Sequence, residues 1–407
     1  MQLADIDLLD RDVFASGVPH EWFTYLRKHD PVYHHPEPAG PGFWVVTKYA
    51  DVYAVGRDAA TYSSDQDRGG VVGLEESGME ADFEGAKLML TMDPPEHTRY
   101  RKLVNKGFTP RAINALETHI RDLAVTIIEK AMAQPTCDFV VDVAAELPLQ
   151  AIAELIGVPF EERHKIFDWS NRMVGSEDPE YAVGLQEAND ARFEMFMYAA
   201  HLAEQRRREP RDDIMTKLLE AEVEGDNLSD MEFNLFFMLL SVAGNETTRN
   251  AIGHGMSAFL DHPDQYAKLV ADPTAQIAGA TEEILRWASP VMYFRRNVTK
   301  DTELRGRELK AGDKVSIWYA SANRDEEVFD DPFTFDIART PNDHLAFGGG
   351  GPHFCLGTSL ARMEIRVLFE ELARRAPAVK AAGDAQALRS NFIGGIKHLP
   401  VTFSSTS

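Results

Sequence analysis

The sequence predicts a mainly α protein with small β-sheets, on the strength of three observations. Most of the 407 residues follow the helical periodicity of apolar side chains. Short runs typical of β-strands occur at 43–47, at 314–319 and near 400–403. No repeat, low-complexity tract or linker divides the chain, so we expect residues 1–407 to form a single domain.

Composition and charge indicate a large globular protein and disfavour nucleic acid binding. The chain is 44% hydrophobic and 26% charged, which suits a substantial core. Its formal net charge of −23 argues against nucleic acid binding, which needs clustered Lys and Arg. The one tight basic cluster, 206–208, ends a helical pattern and is interpreted as a solvated helix end.

Cysteine usage and the N-terminus indicate the compartment. Cys137 and Cys355 lie far apart, as in proteins of reducing compartments, and Cys137 is interpreted as structural. The acidic N-terminus, residues 1–12, lacks the pattern of a signal peptide. The longest apolar run, 236–243, is too short to span a bilayer. We therefore expect a cytoplasmic protein without a membrane anchor.

Helix starts can be placed at three positions. The double proline at 94–95 can begin a helix that puts His97 and Arg101 on one face, although such pairs are common on exposed helices. Thr109, as the N-cap before a proline, starts a helix to about residue 134. Ser229, in a capping box with the glutamate three residues later, starts a helix of about 32 residues, roughly 48 Å long.

Inside this long helix, residues 243–248 read Ala-Gly-Asn-Glu-Thr-Thr. Glycine and adjacent threonines lower helix propensity, so their position in mid-helix needs a reason. Packing is one explanation: glycine where another element crosses, and threonines bonded back to carbonyls. A functional site is the other, and the residues alone leave both open.

One thiol ends a glycine-rich loop just before a helical pattern at 356–375. The loop, 347–357, reads Phe-Gly-Gly-Gly-Gly-Pro-His-Phe-Cys-Leu-Gly. Unpaired N–H groups at the helix start and a glycine-built concavity are expected to lower the pKa of the Cys355 thiol and hold it as thiolate. A single thiolate in such a loop is typical of an axial metal ligand; the alternative is a flexible loop with an inert cysteine.

This loop resembles the signature of the cytochrome P450 family, the haem-thiolate monooxygenases. The family pattern has an aromatic residue, a glycine-rich turn, a basic residue two before the cysteine and a glycine two after it. Here these are Phe347, Gly348 to Gly351, His353 and Gly357. The loop is one residue longer than usual, as in some bacterial members. The resemblance spans nearly the whole chain and implies the P450 fold, with haem b between a long distal helix and a proximal cysteine loop.

The resemblance also implies roles for particular residues. Cys355 would be the axial ligand of the haem iron. Four groups would bind the propionates: His97, Arg101, Arg296 and His353. Arg295 competes with Arg296, and the spacing to the aspartate at 301 favours Arg296. Glu283 and Arg286 would form a structural pair that braces the proximal loop, with Arg339 as a third member.

On the distal side, the resemblance implies that Ala243 and Gly244 leave room for oxygen. Glu246 and Thr247 would be the acid–alcohol pair that delivers protons during oxygen activation. A haem-thiolate sensor or electron carrier would also need Cys355 but would have no use for this pair. Turnover with a surrogate ferredoxin distinguishes these classes.

The substrate is expected to be a hydrophobic small molecule. The residues at 242–250, the four glycines and the segment 394–398 resemble the corresponding sequences of a bacterial group of P450s. That group oxidises sterol side chains and methyl-branched lipids, often at a terminal methyl. Terpenoid hydroxylation is the alternative. The expected linings are 69–92, 168–196, 291–292 and 392–393.

Electrons are expected from a ferredoxin with a separate ferredoxin reductase. The sequence has no flavin domain, nicotinamide fingerprint or iron–sulfur cysteine cluster. A basic patch near the cysteine would receive the ferredoxin, or these are scattered surface charges: Lys102, Lys106, Arg362 and Arg366. We expect a monomer.

Overall fold

The structure is a computed structural model, and it describes residues 1–75, 87–106, 108–175, 178–181, 184–211, 213–223 and 225–404. Two of the expected substrate linings, 69–92 and 168–196, lie partly outside these residues. Among the helices within the described ranges, none combines the length and the apolar character needed to cross a bilayer.

Helices make up most of the fold, which confirms the predicted class. The α-helices are α1 (Arg11–Phe14), α2 (His20–His29), α3 (Tyr49–Arg57), α4 (Glu96–Val104), α5 (Pro110–Asn114), α6 (Glu117–Met132), α7 (Glu146–Leu155), α8 (Arg163–Val174), α9 (Leu185–Arg208), α10 (Ile214–Leu219), α11 (Asp230–Asp261), α12 (Pro263–Ala271), α13 (Pro273–Ala288), α14 (Tyr319–Ala322) and α15 (Thr358–Arg375). A π-helical turn, Val140–Ala144, precedes α7.

The strands form small sheets at the periphery. They are β1 (Val32–His35), β2 (Phe43–Val46), β3 (Tyr62–Ser63), β4 (Cys137–Asp138), β5 (Glu222–Val223), β6 (Asp226–Asn227), β7 (Tyr293–Val298), β8 (Thr302–Leu304), β9 (Arg307–Leu309), β10 (Lys314–Trp318), β11 (Ala378–Ala381), β12 (Gln386–Ala387), β13 (Ile396–His398) and β14 (Pro400–Ser404). The largest sheet has the order β1-β2-β10-β7-β3, in which β2 and β10 are parallel and the other pairs antiparallel. The three strand predictions correspond to β2, β10 and β14.

The long helix α11 is the centre of the fold. Ser229 caps it by accepting a hydrogen bond from the Glu232 amide, and Glu232 accepts one from the Ser229 amide, so the predicted capping box is confirmed. The helix packs against α7, α8 and α9 on one side and α13 and α15 on the other. Apolar side chains from both groups form the two largest core clusters. The ends of α11 are thereby fixed, and its middle faces the cysteine loop.

Two local expectations were wrong. The helix predicted from Thr109 to about residue 134 is broken into α5 and α6. In the basic cluster at 206–208, Arg206 is buried rather than solvated, because it donates hydrogen bonds to Asp213 and to the Gly157 carbonyl. The long α9 therefore ends on an internal ion pair.

Candidate active site

One cavity gathers most of the residues that the sequence singled out. It lies between the middle of α11 and the cysteine loop. Its volume, including the part that is open to solvent, is about 1540 Å³. Its lining includes these predicted site residues: His97, Arg101, Ala243, Gly244, Thr247, Arg296, Phe347, Gly348, His353, Cys355 and Gly357. Glu246 is not part of the lining. Val291 lines the cavity as expected, whereas Met292, Phe392 and Ile393 do not.

The shape of the cysteine loop depends on its glycines. Gly348, Gly349, Gly350 and Gly351 have φ values of 91°, 67°, 105° and 80°, in the left-handed region where other residues are strained. The loop closes when the Cys355 amide donates to the Phe347 carbonyl over 3.2 Å. Four consecutive left-handed residues turn the chain back under the cavity and bring the thiol to the start of α15.

The thiol of Cys355 does not have the expected low pKa. Burial raises its pKa, and the Gly357 amide, the Thr358 hydroxyl, Arg101 and Arg362 only partly offset that rise. The helix-start groups are therefore present as predicted, but the enclosure of the sulfur outweighs them. A metal ion bound to the sulfur would deprotonate it outright, so this donor suits a metal ligand better than a free thiolate nucleophile.

Cationic and imidazole groups gather at another part of the cavity wall. Arg296 is buried and donates to the Arg295 carbonyl over 2.8 Å, and Arg101 donates to the Phe354 carbonyl over 2.8 Å. Burial lowers the pKa of both guanidinium groups. Among the described residues, no carboxylate lies within salt-bridge distance of either guanidinium group. A ligand with carboxylates would supply the missing charge.

Two histidines lie beside these arginines, with ring centroids 4.3 Å apart. Burial and Arg101 lower the pKa of His97 to about 4, and burial and Arg296 lower that of His353 to about 2. Both rings are thus neutral, and the buried Nε2 of His353 has no hydrogen-bond partner among the described residues. This orphaned atom also fits a site for carboxylates.

The neighbouring Arg295 is directed elsewhere. It lies next to Arg296 on β7, where successive side chains point to opposite faces. Arg295 bonds to the Asn297 side chain at 2.9 Å and to the Gly73 carbonyl at 3.2 Å, and it does not line the cavity. Strand geometry therefore favours Arg296 as the cavity cation.

The α11 wall combines packing with an open surface. A Cβ on Gly244 would lie 2.9 Å from the Ile152 side chain, so glycine is needed where α7 crosses α11. The Thr247 hydroxyl lines the cavity and donates to the Ala243 carbonyl over 2.9 Å. Packing therefore explains part of the sequence at 243–248. The same stretch also presents a polar group, the Thr247 hydroxyl, to the cavity.

Comparison with known proteins decides the family. The sequence pattern of the family described as "Cytochrome P450" matches residues 13–375. The chain belongs to the cytochrome P450 family. It is 45% identical, over 98% of its length and 94% of the relative, to a steroid C26-monooxygenase of Mycolicibacterium smegmatis. It is 44% identical, over 99% of its length and 95% of the relative, to a methyl-branched lipid omega-hydroxylase of Mycobacterium bovis.

Solved structures agree with this membership. A cytochrome P450 of Mycobacterium marinum in complex with pseudoionone superposes with a TM-score of 0.91 at 40% identity, over 98% of each chain. The protein is thus a P450 monooxygenase that binds haem b, as the resemblance implied. The residues around the cavity fit that group: a sulfur donor lies on one wall, and on another lie two arginines and an imidazole nitrogen for which the described part of the chain supplies no carboxylate partner.

Within this P450, Glu246 occupies a buried ion pair outside the cavity. It is 1% exposed and accepts from Arg249 at 2.5 Å, while Arg249 also donates to the Asn171 side chain of α8 at 2.7 Å. Burial raises the pKa of Glu246, and Arg249 counteracts that rise. Sequence reasoning missed Arg249 and Asn171, although the three-residue spacing from Glu246 to Arg249 on a helix was a usable signal.

The predicted structural brace is present, and it lies beside the segment that leads into the cysteine loop. Arg286 and Glu283, both fully buried, pair at 2.7 Å, and Arg339 joins Glu283 at 3.3 Å. Arg286 also donates to the Pro332 carbonyl, and the Asn342 amide donates to Glu283, at 2.9 and 3.0 Å. The brace therefore ties α13 to the segment that leads into the cysteine loop.

Both arginines of the basic patch near Cys355 are paired with carboxylates. Arg362 pairs with Glu282 at 2.7 Å, and Arg366 pairs with Glu117 at 2.8 Å. Lys106 donates to the Glu222 carbonyl. The sequence could not show this, because the partner carboxylates come from α13 and α6, far away along the chain.

Proposed function

We propose that this P450 hydroxylates a terminal methyl group on a sterol side chain or a methyl-branched lipid. The proposal rests on the mostly apolar cavity beside Cys355. The two arginines in its wall, Arg101 and Arg296, are those assigned to the haem propionates. The remaining wall is dominated by apolar side chains: Met89, Leu90, Phe236, Leu239, Leu240, Val291 and Phe294. Such a wall suits a long hydrocarbon and excludes water from it. The names of the two curated relatives support the same substrate class.

We assign the chemistry to residues as follows. Cys355 would hold the haem iron, and the cationic wall would hold the propionates through His97, Arg101, Arg296 and His353. When bound, haem supplies the activation of dioxygen and the insertion of one oxygen atom into a C–H bond. Thr247 presents a hydroxyl at the cavity, where it can pass a proton inward. Glu246, held by Arg249, would store a proton on the far side of α11.

We further propose the cellular setting of the reaction. Electrons would come from a ferredoxin with a separate ferredoxin reductase, since the sequence contains no flavin or nicotinamide fingerprint of its own. Residues 1–407 would act as a single domain and as a monomer in the cytoplasm. Turnover with a surrogate ferredoxin separates this proposal from a haem-thiolate sensor or electron carrier, which would consume no substrate.

A titration of the ferric protein tests the substrate class. A steroid enone, a methyl-branched fatty acid and a monoterpene alcohol are each added, and displacement of water from the haem iron is followed as a blue shift of the Soret band. We expect a saturable shift with the steroid or the branched acid. A shift with the monoterpene alone would contradict the proposal and favour terpenoid hydroxylation.

A cavity-filling variant provides the control. Leu239→Trp enlarges one lining side chain of α11 without touching the predicted haem contacts. It should take up haem normally yet lose the shift with the longer ligands. An unchanged shift in Leu239→Trp would place the ligand outside this cavity and count against the proposal.

A further inference from the structure

Strand β7 presents two different pairs of side chains on its two faces. Phe294 and Arg296 both line the cavity, as expected for residues two apart on a strand. Arg295 and Asn297 point to the opposite face, where they meet the backbone of residues 69–73. This backbone belongs to one of the segments that the sequence predicted as a substrate lining. Arg295 and Arg296 thus serve different parts of the molecule.

Arg295 and Asn297 are bonded together to this glycine-rich segment. The Arg295 amide donates to the Val71 carbonyl over 2.8 Å, and its Nη1 donates to the Gly73 carbonyl over 3.2 Å. Its Nε donates to the side-chain oxygen of Asn297 at 2.9 Å, and the Asn297 amide donates to the Gly70 carbonyl at 2.8 Å. One planar guanidinium group therefore holds the segment directly and also orients a second donor. A lysine ammonium could not do both in this geometry.

The position of Gly69 shows how closely the guanidinium group approaches the backbone. A Cβ on Gly69 would lie 2.1 Å from Nη2 of Arg295, so only glycine leaves space for the guanidinium group. Gly69 is part of a turn, in which its amide donates to the Gln66 carbonyl at 2.9 Å and the Gly70 amide donates to the Asp65 carbonyl at 3.0 Å. Arg295 therefore rests against the turn formed by residues 65–70.

This turn is connected to a second segment, which leads into α4. The Thr91 hydroxyl lies 3.2 Å from the side-chain oxygen of Gln66, within hydrogen-bond distance. Lys87 pairs with Asp65 at 2.9 Å. Residues 87–91 are consequently fastened at both ends to the turn that Arg295 holds.

The cavity wall includes the residues between these two fastened ends, Met89 and Leu90. We propose that Arg295 is a positioning residue for substrate selectivity: by holding the turn 65–70, it sets where Met89 and Leu90 stand in the cavity. Arg295 does not itself line the cavity, so it acts through the turn. A wall that is fixed before binding lowers the cost of ordering it around a long hydrocarbon. The inference rests on the proposed function only for the choice of long ligands.

The first test needs no ligand. Amide hydrogen exchange is measured on the haem-loaded wild type and on Arg295→Met, which keeps a long side chain but has no donors. Exchange should become faster by about tenfold at 69–71 and also at 87–92, because both depend on the same turn. Arg307→Met is the matched control, since Arg307 bonds to Asp30 at 3.0 Å, away from this turn. Faster exchange at 69–71 with no change at 87–92 would break the link to the cavity wall and overturn the proposal.

The second test measures ligand affinity and turnover. For the steroid enone or the branched fatty acid, the dissociation constant and KM should rise by about tenfold in Arg295→Met. The kcat value should stay within about twofold of the wild type, because the haem site is untouched. Imidazole, which binds at the iron and is too small to need the wall, should keep its wild-type affinity. Arg295→Lys should behave like Arg295→Met, since it keeps the charge but not the planar fork. Wild-type affinity for the long ligands in Arg295→Met would refute the proposed role.

A variant of the intermediate residue tests the path. Gln66→Leu removes the bond to Thr91, and Gln66 is outside the cavity lining. It should reproduce the loss of affinity, and the double variant with Arg295→Met should be no worse than the weaker single variant. Fully additive losses would show two independent effects and contradict the path. If Arg295→Met does not fold, Gln66→Leu carries the test alone.

Haem retention separates this role from the alternative that Arg295 binds a propionate. Arg295→Met should keep its haem, whereas Arg296→Met should lose it more readily. Loss of haem from Arg295→Met would overturn the assignment. If no long ligand shifts the Soret band of the wild type, the proposed function fails, and hydrogen exchange still decides whether Arg295 positions the wall.

Discussion

At the scale of single residues, the surroundings decide the chemistry. Cys355 has the helix-start amide and glycine loop that lower a thiol pKa, yet its pKa is raised because the sulfur is enclosed. Three buried glutamates show the same dependence. Glu283 and Glu246 are paired with arginines, whereas Glu364 is not. Identical side chains therefore occur as part of a three-residue brace, as one half of an ion pair and as a buried acid without a salt-bridge partner among the described residues.

The glycine loop gives the first prediction, at the residue scale. Gly351 has a φ of 80°, and a Cβ there would lie 2.9 Å from the Gly56 carbonyl oxygen, a backbone atom that cannot rotate away. Gly306 has a similar φ of 75° but nothing within 4 Å of such a Cβ. Gly306→Ala should cost about 1–2 kcal/mol of stability from backbone strain alone. Gly351→Ala should cost clearly more and reduce haem retention.

Chemical denaturation of the two alanine variants provides the measurement. Since the φ angles nearly match, the difference between the two free energies of unfolding isolates the steric clash. Equal losses in Gly351→Ala and Gly306→Ala would show that the loop can move away from α3, and would contradict the predicted clash with the Gly56 carbonyl.

At the scale of elements, α11 acts as a shared wall. One side of the helix presents Ala243, Gly244 and Thr247 to the cavity, and another holds the Glu246–Arg249 pair against α8. Asn171 of α8 bonds to Arg249, so the position of α8 and the orientation of Glu246 are linked. Helix α8 therefore helps to hold Glu246 in its position on α11.

Residues 178–181, between α8 and α9, are bonded to strand β13 and to Arg389, which precedes it. Asp178 accepts from the Arg389 amide at 2.9 Å and from Lys397 at 3.1 Å. Glu180 pairs with Lys397 at 2.8 Å and with His398 at 2.6 Å. The other nitrogen of His398 bonds to Asp138 of β4 at 2.5 Å. A protonated His398 thus bridges two carboxylates.

This fastening gives the second prediction, at the element scale. Burial acts to lower the pKa of His398, but its bonds to Asp138 and Glu180 outweigh it and raise the pKa. A raised pKa stabilises the fold fully below the unfolded value of about 6.5, and the contribution is lost as pH rises through the folded value. Amide hydrogen exchange at 178–181 should therefore accelerate over that rise beyond the intrinsic effect of pH.

The variant His398→Gln calibrates the exchange measurement. Without a titrating imidazole, its exchange ratio to the wild type should be largest at low pH and approach one at high pH. The carboxylates set the lower end of the pH range for this measurement. Burial raises the pKa of Asp178 and Glu180, but hydrogen bonds and Lys397 outweigh it and lower the pKa of both. A ratio that does not change with pH would show that His398 does not fasten the segment.

At the scale of the whole molecule, charge bears on the electron partner. The net charge is −23, and the arginines near Cys355 are engaged by Glu282 and Glu117. An acidic ferredoxin should therefore meet net repulsion at distances beyond direct contact. The Debye length falls from about 30 Å at 0.01 M to about 8 Å at 0.15 M ionic strength, so added salt should screen this repulsion.

The third prediction concerns this salt dependence. The rate of first electron transfer from an acidic ferredoxin should increase over that range of ionic strength, opposite to the fall typical of oppositely charged partners. Stopped-flow reduction of the ferric protein measures it. Glu282→Gln, which frees Arg362, should raise the rate most at low salt. A rate that falls steadily with salt would indicate that a local positive surface dominates.

Much of this protein was determined by local sequence. The capping box at Ser229 fixed the start of α11, because its hydrogen bonds involve residues three apart. The Phe347 to Gly357 pattern located the thiol, and four-residue spacing placed His97 and Arg101 on one face of α4. These features depend on neighbours along the chain, and the family resemblance then linked them into one site.

Tertiary structure decided what depends on distant partners. The raised pKa values of Cys355 and Glu364 follow from their enclosure by other elements, and the pairing of Arg362 and Arg366 follows from carboxylates on α13 and α6. The position of Glu246 outside the cavity depends on Arg249 and on Asn171 of α8. Burial and long-range pairing set these electrostatic free energies, and neither is encoded in the spacing of residues along the chain.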